Sequence, residues 1–190
     1  MLSRYPHTTA LALVFLIGCG ETVAPPESSP IGEGELSLAV ANGDPGRRIF
    51  LRDRCGGESW NPFGGCLIDG TVERPGWLAR VLETGSHPLW AISPVATSVA
   101  TGTTLEVVNV GGRGHSFTRV ASFGGGILPI LNTREDTRIP APECLGEVVL
   151  IPGAGGSVPT NFTGIGEQHY QCCFHPWMRT TVKVTPAEGN

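Results

Sequence analysis

The sequence predicts an all-β chain, a β-sandwich with one short helix, and three observations carry that prediction. Glycine and proline are abundant, at 27 and 16 of 190 residues, and they punctuate a chain into turns. Short apolar or alternating runs follow one another from Leu89 to Thr185, divided by Gly, Pro and Asn. A single stretch carries the 3.6-residue apolar period of a helix. Many short strands with turns between them pack as sheets, not as a helical bundle.

The first segment reads as an address. Met1–Thr9 carries Arg4 and no acid, and Ala10–Gly18 is apolar but too short to span a bilayer. Its end, Leu16-Ile17-Gly18-Cys19, resembles a bacterial lipobox, which makes 1–18 a lipoprotein signal peptide and Cys19 the site of lipidation. Residues 19–34 are rich in Pro, Glu and Ser without periodicity, as expected of a flexible tether. Glu35–Val40 alternates and reads as a strand, and Asp44-Pro45-Gly46 makes a turn before Arg47–Arg54. The helix is expected over Pro75–Thr84. Pro75 suits a first helical position, Trp77, Leu78, Val81 and Leu82 form one apolar face, and Gly85 ends it. Strands are then expected at Leu89–Ser93, Val95–Val99, Leu105–Val110, Ser116–Ala121, Glu147–Ile151, His169–Cys173 and Thr180–Thr185. Gly124–Pro142 lacks periodicity and is expected as a long surface loop. The organisation predicted is an N-terminal extension over 35–88, a main domain over 89–185 and a tail over 186–190.

Composition excludes several roles. Charged residues are 16% of the chain and hydrophobic ones 40%, which builds a core and not a disordered segment. The net charge of -4, with Lys183 the single lysine and arginines scattered, argues against gripping nucleic acid by its phosphates. After the lipobox no stretch is long and apolar enough to span a membrane.

Export places the chain where disulfides persist. With Cys19 lipidated, Cys55, Cys66, Cys144, Cys172 and Cys173 remain, an odd number. Cys55 and Cys66 flank a Gly/Pro-rich loop that a bridge would staple, worth about 3 kcal/mol by loop entropy. Cys144 has Cys172 or Cys173 as its partner. Adjacent strand residues point to opposite faces, so whichever is left over is free for chemistry.

That chemistry lies in Tyr170-Gln-Cys-Cys-Phe-His-Pro-Trp-Met-Arg179. The run presents a thiolate, an imidazole and a thioether at Cys-x2-His-x2-Met spacing. Met178 is the only methionine besides the initiator. Soft sulfur with imidazole suits copper, and two histidines, a cysteine and a weak axial methionine make the blue-copper set. The second histidine must come from elsewhere. His87 precedes a proline and reads as a surface residue, and His169 faces away from Cys172 along a strand. His115 follows the Gly-rich bend Gly111–Gly114 at the start of a strand, where a distant ligand is needed.

The C-terminal run resembles that of the cupredoxins, the type 1 blue copper proteins, and within them the amicyanin and plastocyanin-like members. Their motif, Tyr-x-Cys-x2-His-Pro-aromatic-Met, lies between the last two strands. The resemblance extends to Trp90–Pro94, Val99–Val107 and Asn109, and covers about Leu89 to Thr185. It implies a Greek-key sandwich of cupredoxin type and one copper held by His115, Cys172, His175 and axial Met178. With Cys172 on copper, Cys173 is left to pair with Cys144. The 35–88 segment and the 121–148 insertion depart from the smallest members.

The function implied is electron transfer, not catalysis: a lipid-anchored carrier exchanging one electron with redox proteins at a membrane, outside the cytoplasm and facing the periplasm or cell exterior. The alternative is copper delivery or storage, against which a single mature methionine argues. An enzyme of the terminal-oxidase or multicopper-oxidase kind needs a further bridging cysteine or histidine pairs that the motif lacks. Electrons are expected to leave through His175, flanked by Pro176, Trp177 and the Gly111–Gly114 bend, with Arg113 and Arg179 steering an acidic partner.

Overall fold

The computed structural model describes residues 48–187. The strand expected over Glu35–Val40, the lipobox with Cys19 and the Gly20–Gly34 tether lie outside these residues. The elements are β1 (Arg48–Arg52), helix α1 (Arg74–Thr84), β2 (Ala91–Ser93), β3 (Ala96–Ala100), β4 (Thr103–Asn109), β5 (Thr118–Val120), β6 (Ser157–Phe162), β7 (Gly166–Gln171) and β8 (Arg179–Thr185). Two four-stranded sheets result, in the orders β2-β1-β4-β6 and β3-β8-β7-β5. The chain changes sheet at most connections, and only β1–β2 and β7–β8 are neighbours in both sequence and space. This is the predicted Greek-key sandwich.

Alternation builds the interior. β1 turns Ile49 and Leu51 inward, β4 turns Leu105 and Val107, and β8 turns Val182 and Val184, all buried in one shared core. β1 runs parallel to β4 along Arg48–Leu51 and antiparallel to β2. The segment over 35–88 therefore contributes a strand to the sandwich itself. Its Arg-Ile-Phe-Leu-Arg pattern alternates as a half-buried strand does.

The helix is found one residue longer than expected, with Pro75 in its first turn and Gly85 at φ 73° receiving the chain at its end. Trp77 and Val81 are its buried face. Trp77 packs on Trp60 and Trp90, with ring centroids 5.3 and 5.7 Å away, and Trp60 and Trp90 stack at 6.0 Å. This cluster fills the end of the sandwich beside the C-terminal loop, where Trp177 lies 6.2 Å from Trp77.

Three expectations differ. Glu147–Ile151 is not a strand: only Ile151 bridges, to His115, while Val149 and Leu150 are exposed. Its apolar residues are consecutive, not alternating, so no face forms for a sheet to bury. β6 carries no clear strand pattern because Pro159 interrupts it, and it stands as an edge strand, where a missing N–H is tolerated. Gly124–Pro142 is not a simple surface loop. It holds two short 3-10 turns, Pro129–Leu131 and Glu135–Thr137, and buries Leu131 and Thr137. Gln171 pins it from β7, accepting from Gly124 N–H at 3.0 Å and donating to the Gly125 carbonyl at 3.2 Å.

Candidate metal centre

Three donors from two loops meet at one point. Cys172 follows β7 directly. Gln168 and Tyr170 are buried on that strand, and Phe117 stacks on Tyr170 at 4.4 Å. The same alternation carries Cys172 into the main core and Cys173 to the opposite side, where it lies in a separate cluster with Val120, Ala141 and Cys144. Cys173 is bridged to Cys144 and Cys55 to Cys66, leaving Cys172 as the free, buried thiol among the described residues. The loop closes on itself: Cys172 N–H donates to the Met178 carbonyl at 3.0 Å, and Met178 N–H to the His175 carbonyl at 2.9 Å. His175 and Met178 are both buried within that turn.

His115 arrives from the β4–β5 connection. Asn109 shapes that bend: its amide donates to the Arg113 and Ile151 carbonyls at 2.7 and 3.0 Å, and its oxygen accepts from Gly111 N–H at 3.0 Å. Backbone pairing of His115 with Ile151 finishes the placement. Ser116, which sequence reasoning did not single out, joins the two loops. Its N–H donates to Cys172 Sγ at 3.4 Å, and its hydroxyl accepts from Cys173 N–H at 2.8 Å.

His115 Nδ1 lies 3.2 Å from His175 Nδ1, and Cys172 Sγ lies 3.7 and 3.6 Å from the two nitrogens. A triangle with those sides has one in-plane point about 2.0 Å from every corner, close to the ~2.0–2.3 Å over which nitrogen and sulfur bind a first-row metal ion. The set of two imidazoles and one thiolate, with the buried Met178 in the same turn, fits a single soft ion of the copper type. A hard oxygen-seeking cation finds no match there.

The electrostatics already favour the thiolate. Burial works against it, yet the contacts from His115 and His175 hold the Cys172 thiol well below its ordinary range. Burial opposes a charge on His115 too, but the hydrogen bond to Asp53 and the adjacent Cys172 push it up to about 9. Burial dominates at His175 and lowers it, which leaves a neutral ring ready to donate a lone pair.

His115 Nε2–H donates to Asp53 Oδ2 at 2.9 Å, and both side chains are fully buried. Asp53, just past β1, was not foreseen as part of the site. The only sequence signal was an acid between Arg52 and Arg54 ahead of Cys55. The glycines of the bend permit its approach: a Cβ on Gly111 would stand 2.2 Å from Asp53 Oδ2. One on Gly112 would stand 2.5 and 2.6 Å from the sulfurs of the Cys66–Cys55 bridge.

His87, expected at the surface, is buried against Trp90 with ring centroids 4.7 Å apart, and it is remote from the donor triangle in role. His169 faces Glu167 and Phe123, away from Cys172. The surroundings of His175 also differ from expectation. Pro176 is buried, and Trp177 is half-buried in the tryptophan cluster, 5.6 Å from His175. His175 borders a depression of about 370 Å³ lined by Gly112, Arg113 and Gly114 of the expected bend, together with Phe63, Leu67, Leu128, Leu150 and Phe174 in place of Pro176 and Trp177. Arg113 turns back onto the Phe63 and Gly65 carbonyls, and Arg179 pairs with Asp136 at 2.6 Å. Neither is a free cation.

No protein-family model matches the chain, and no curated protein sequence matches it. Among solved structures it is similar to a purple cupredoxin from Nitrosopumilus maritimus, at 14% identity and a TM-score of 0.39, covering 73% of this chain and 98% of that one. A reduced amicyanin variant is 23% identical with a TM-score of 0.31, over 48% of this chain and 70% of that one. A copper-containing nitrite reductase from Thermus scotoductus is 23% identical with a TM-score of 0.33, over 51% of this chain and 20% of that one.

Proposed function

We propose that the chain is a cupredoxin in which His115 Nδ1, Cys172 Sγ, His175 Nδ1 and Met178 would hold one type 1 copper, and that it passes single electrons between redox proteins. The donor triangle, with sides of 3.2, 3.6 and 3.7 Å, carries the reading. When bound, the copper supplies a one-electron Cu(II)/Cu(I) couple at a thiolate–imidazole site. The residues around the site restrain the ligands. Ser116 tethers Cys172, the Cys172–Met178 backbone bond closes the ligand loop, and the tryptophans Trp77 and Trp177 press on His175 at 5.9 and 5.6 Å. Little rearrangement between states means a low barrier to electron transfer.

Burial of all four ligands favours a carrier over an enzyme, because a substrate would have no route to the ion. It also argues against delivery or storage, which need donors a partner can reach. His175 is 7% exposed and is the one proposed ligand with any exposed surface, next to a depression lined by apolar side chains, glycine backbone and Arg113. We place partner docking there, in a small and transient contact. The lipobox at Cys19 supports an exported, membrane-anchored protein that meets its partners at the bilayer surface.

The test is colour and its dependence on one sulfur. Purified protein loaded with Cu(II) should bind one equivalent and show an intense visible thiolate-to-copper band. Cys172→Ser should abolish the band. A colourless loaded protein, or a Cys172→Ser variant that keeps the band, refutes the reading.

A further inference from the structure

We propose that Asp53 is the positioning residue of the metal centre: its carboxylate fixes which nitrogen of His115 faces the ion, and its buried negative charge sets the reduction potential lower than the ligands alone would. The proposal rests on the copper reading given above. Asp53 belongs to the segment that departs from the smallest cupredoxins, so this role ties that segment to the redox site.

The carboxylate is fully saturated by N–H donors. Oδ1 accepts from Cys55 N–H and Gly112 N–H, each at 3.0 Å. Oδ2 accepts from Arg113 N–H at 2.9 Å and from His115 Nε2–H at 2.9 Å. Its side chain has no exposed surface, and no Arg or Lys side chain forms an ion pair with it among the described residues. A buried carboxylate that only accepts hydrogen bonds holds His115 with the proton on Nε2, leaving the Nδ1 lone pair for the metal. The Arg113 guanidinium is near enough to feel the carboxylate but turns away onto the Phe63 and Gly65 carbonyls, so it offsets the charge without pairing with it. In a low-dielectric interior such a charge stabilises the doubly charged ion more than the singly charged one.

The architecture gives the carboxylate little freedom. Gly111 lacks the Cβ that would collide with Oδ2, and Gly112 lies directly under the Cys55–Cys66 bridge. Trp60 donates to the Val72 carbonyl at 2.8 Å, and Gly56 N–H donates to the same carbonyl at 3.0 Å. The stapled segment is thus fastened around Asp53, and the His115 bend is fastened to Asp53 by two backbone amides. An asparagine cannot replace it silently. Either orientation of its amide turns an NH2 group toward two N–H donors.

The experiment compares the full-length protein with Asp53→Asn, both loaded with copper. Removing the charge should raise the reduction potential and weaken copper affinity about 10–100-fold, while peptide mapping shows the Cys55–Cys66 bridge intact. A structural role alone would lower the melting temperature and leave the potential of the loaded protein unmoved; that result overturns the proposal. If Asp53→Asn does not fold, the unaltered Cu(I) protein, which is diamagnetic, decides by proton–nitrogen NMR. A slowly exchanging proton on His115 Nε2 supports the assignment, and a proton on Nδ1 or solvent-rate exchange at Nε2 overturns it. A blue unaltered protein with an unshifted Asp53→Asn potential refutes the role of Asp53 alone. An unaltered protein without the thiolate band overturns the copper reading and this proposal with it.

Discussion

Met178 occupies a fully buried position in the turn that also carries Cys172 and His175. A thioether is a weak donor, so its contribution should appear in the potential more than in the colour. Met178→Leu nearly conserves volume and should cost less than about 1.5 kcal/mol of stability. We expect the variant to keep its visible band and to show a higher reduction potential, because loss of the sulfur withdraws donation that favours Cu(II). Cyclic voltammetry of the two proteins checks this. An unchanged potential would make Met178 a packing residue. Ser116 illustrates a different kind of contribution: it touches no metal, yet its N–H and hydroxyl hold Cys172 and Cys173 in register with the His115 loop.

β7 and its continuation show how one strand serves two purposes. Its alternation directs Cys172 to the donor triangle and Cys173 to the bridge with Cys144, 29 residues away in sequence. That bridge joins the strand to the insertion before β6 at a cluster separate from the main core. The double variant Cys144→Ser/Cys173→Ser should lose about 3–4 kcal/mol by loop entropy, read as a lower urea midpoint. Its colour should persist, since Cys172 remains. Loss of the band would show that the bridge positions the ligand loop as well as stabilising the chain.

Among the described residues, the depression beside His175 gathers Phe63, Leu67, Leu128, Leu150 and Phe174 around Arg113, with Leu67 and Leu150 strongly exposed. The rim comes from segments distant in sequence: the stapled extension supplies Phe63 and Leu67, the His115 bend supplies Arg113, the insertion supplies Leu128, the stretch after it supplies Leu150, and the ligand loop supplies Phe174. Leu150→Glu should fold and bind copper normally, because the side chain is in solvent. It should slow electron exchange with the native partner by desolvating a charge at contact, as stopped-flow measurement would show. An unchanged rate would move the exit to another face. Anchoring is tested separately: Cys19→Ser should shift the protein from the membrane to the soluble fraction, and a protein that stays with the membrane excludes lipidation at Cys19.

Much of this was legible in the chain because the relevant signals are local. Strand alternation, the proline and glycine ends of α1, and the Cys-x2-His-x2-Met spacing are each written within a few residues. His115 could be chosen because a glycine-rich bend before a strand start is also a local pattern. β1, β6 and Asp53 were not legible for the opposite reason. β1 becomes part of the sheet only by lying parallel to β4, and β6 tolerates Pro159 only because it falls at an edge. Asp53 is an ordinary acid until the fold carries His115 across 62 residues to within 2.9 Å of it. The exit surface followed the same rule, since burial of Pro176 and exposure of Leu150 depend on which distant segments cover them. The ligand types and their spacing follow from the covalent chain, whereas the groups that orient, charge and border those ligands depend on long-range pairing, which no local pattern encodes.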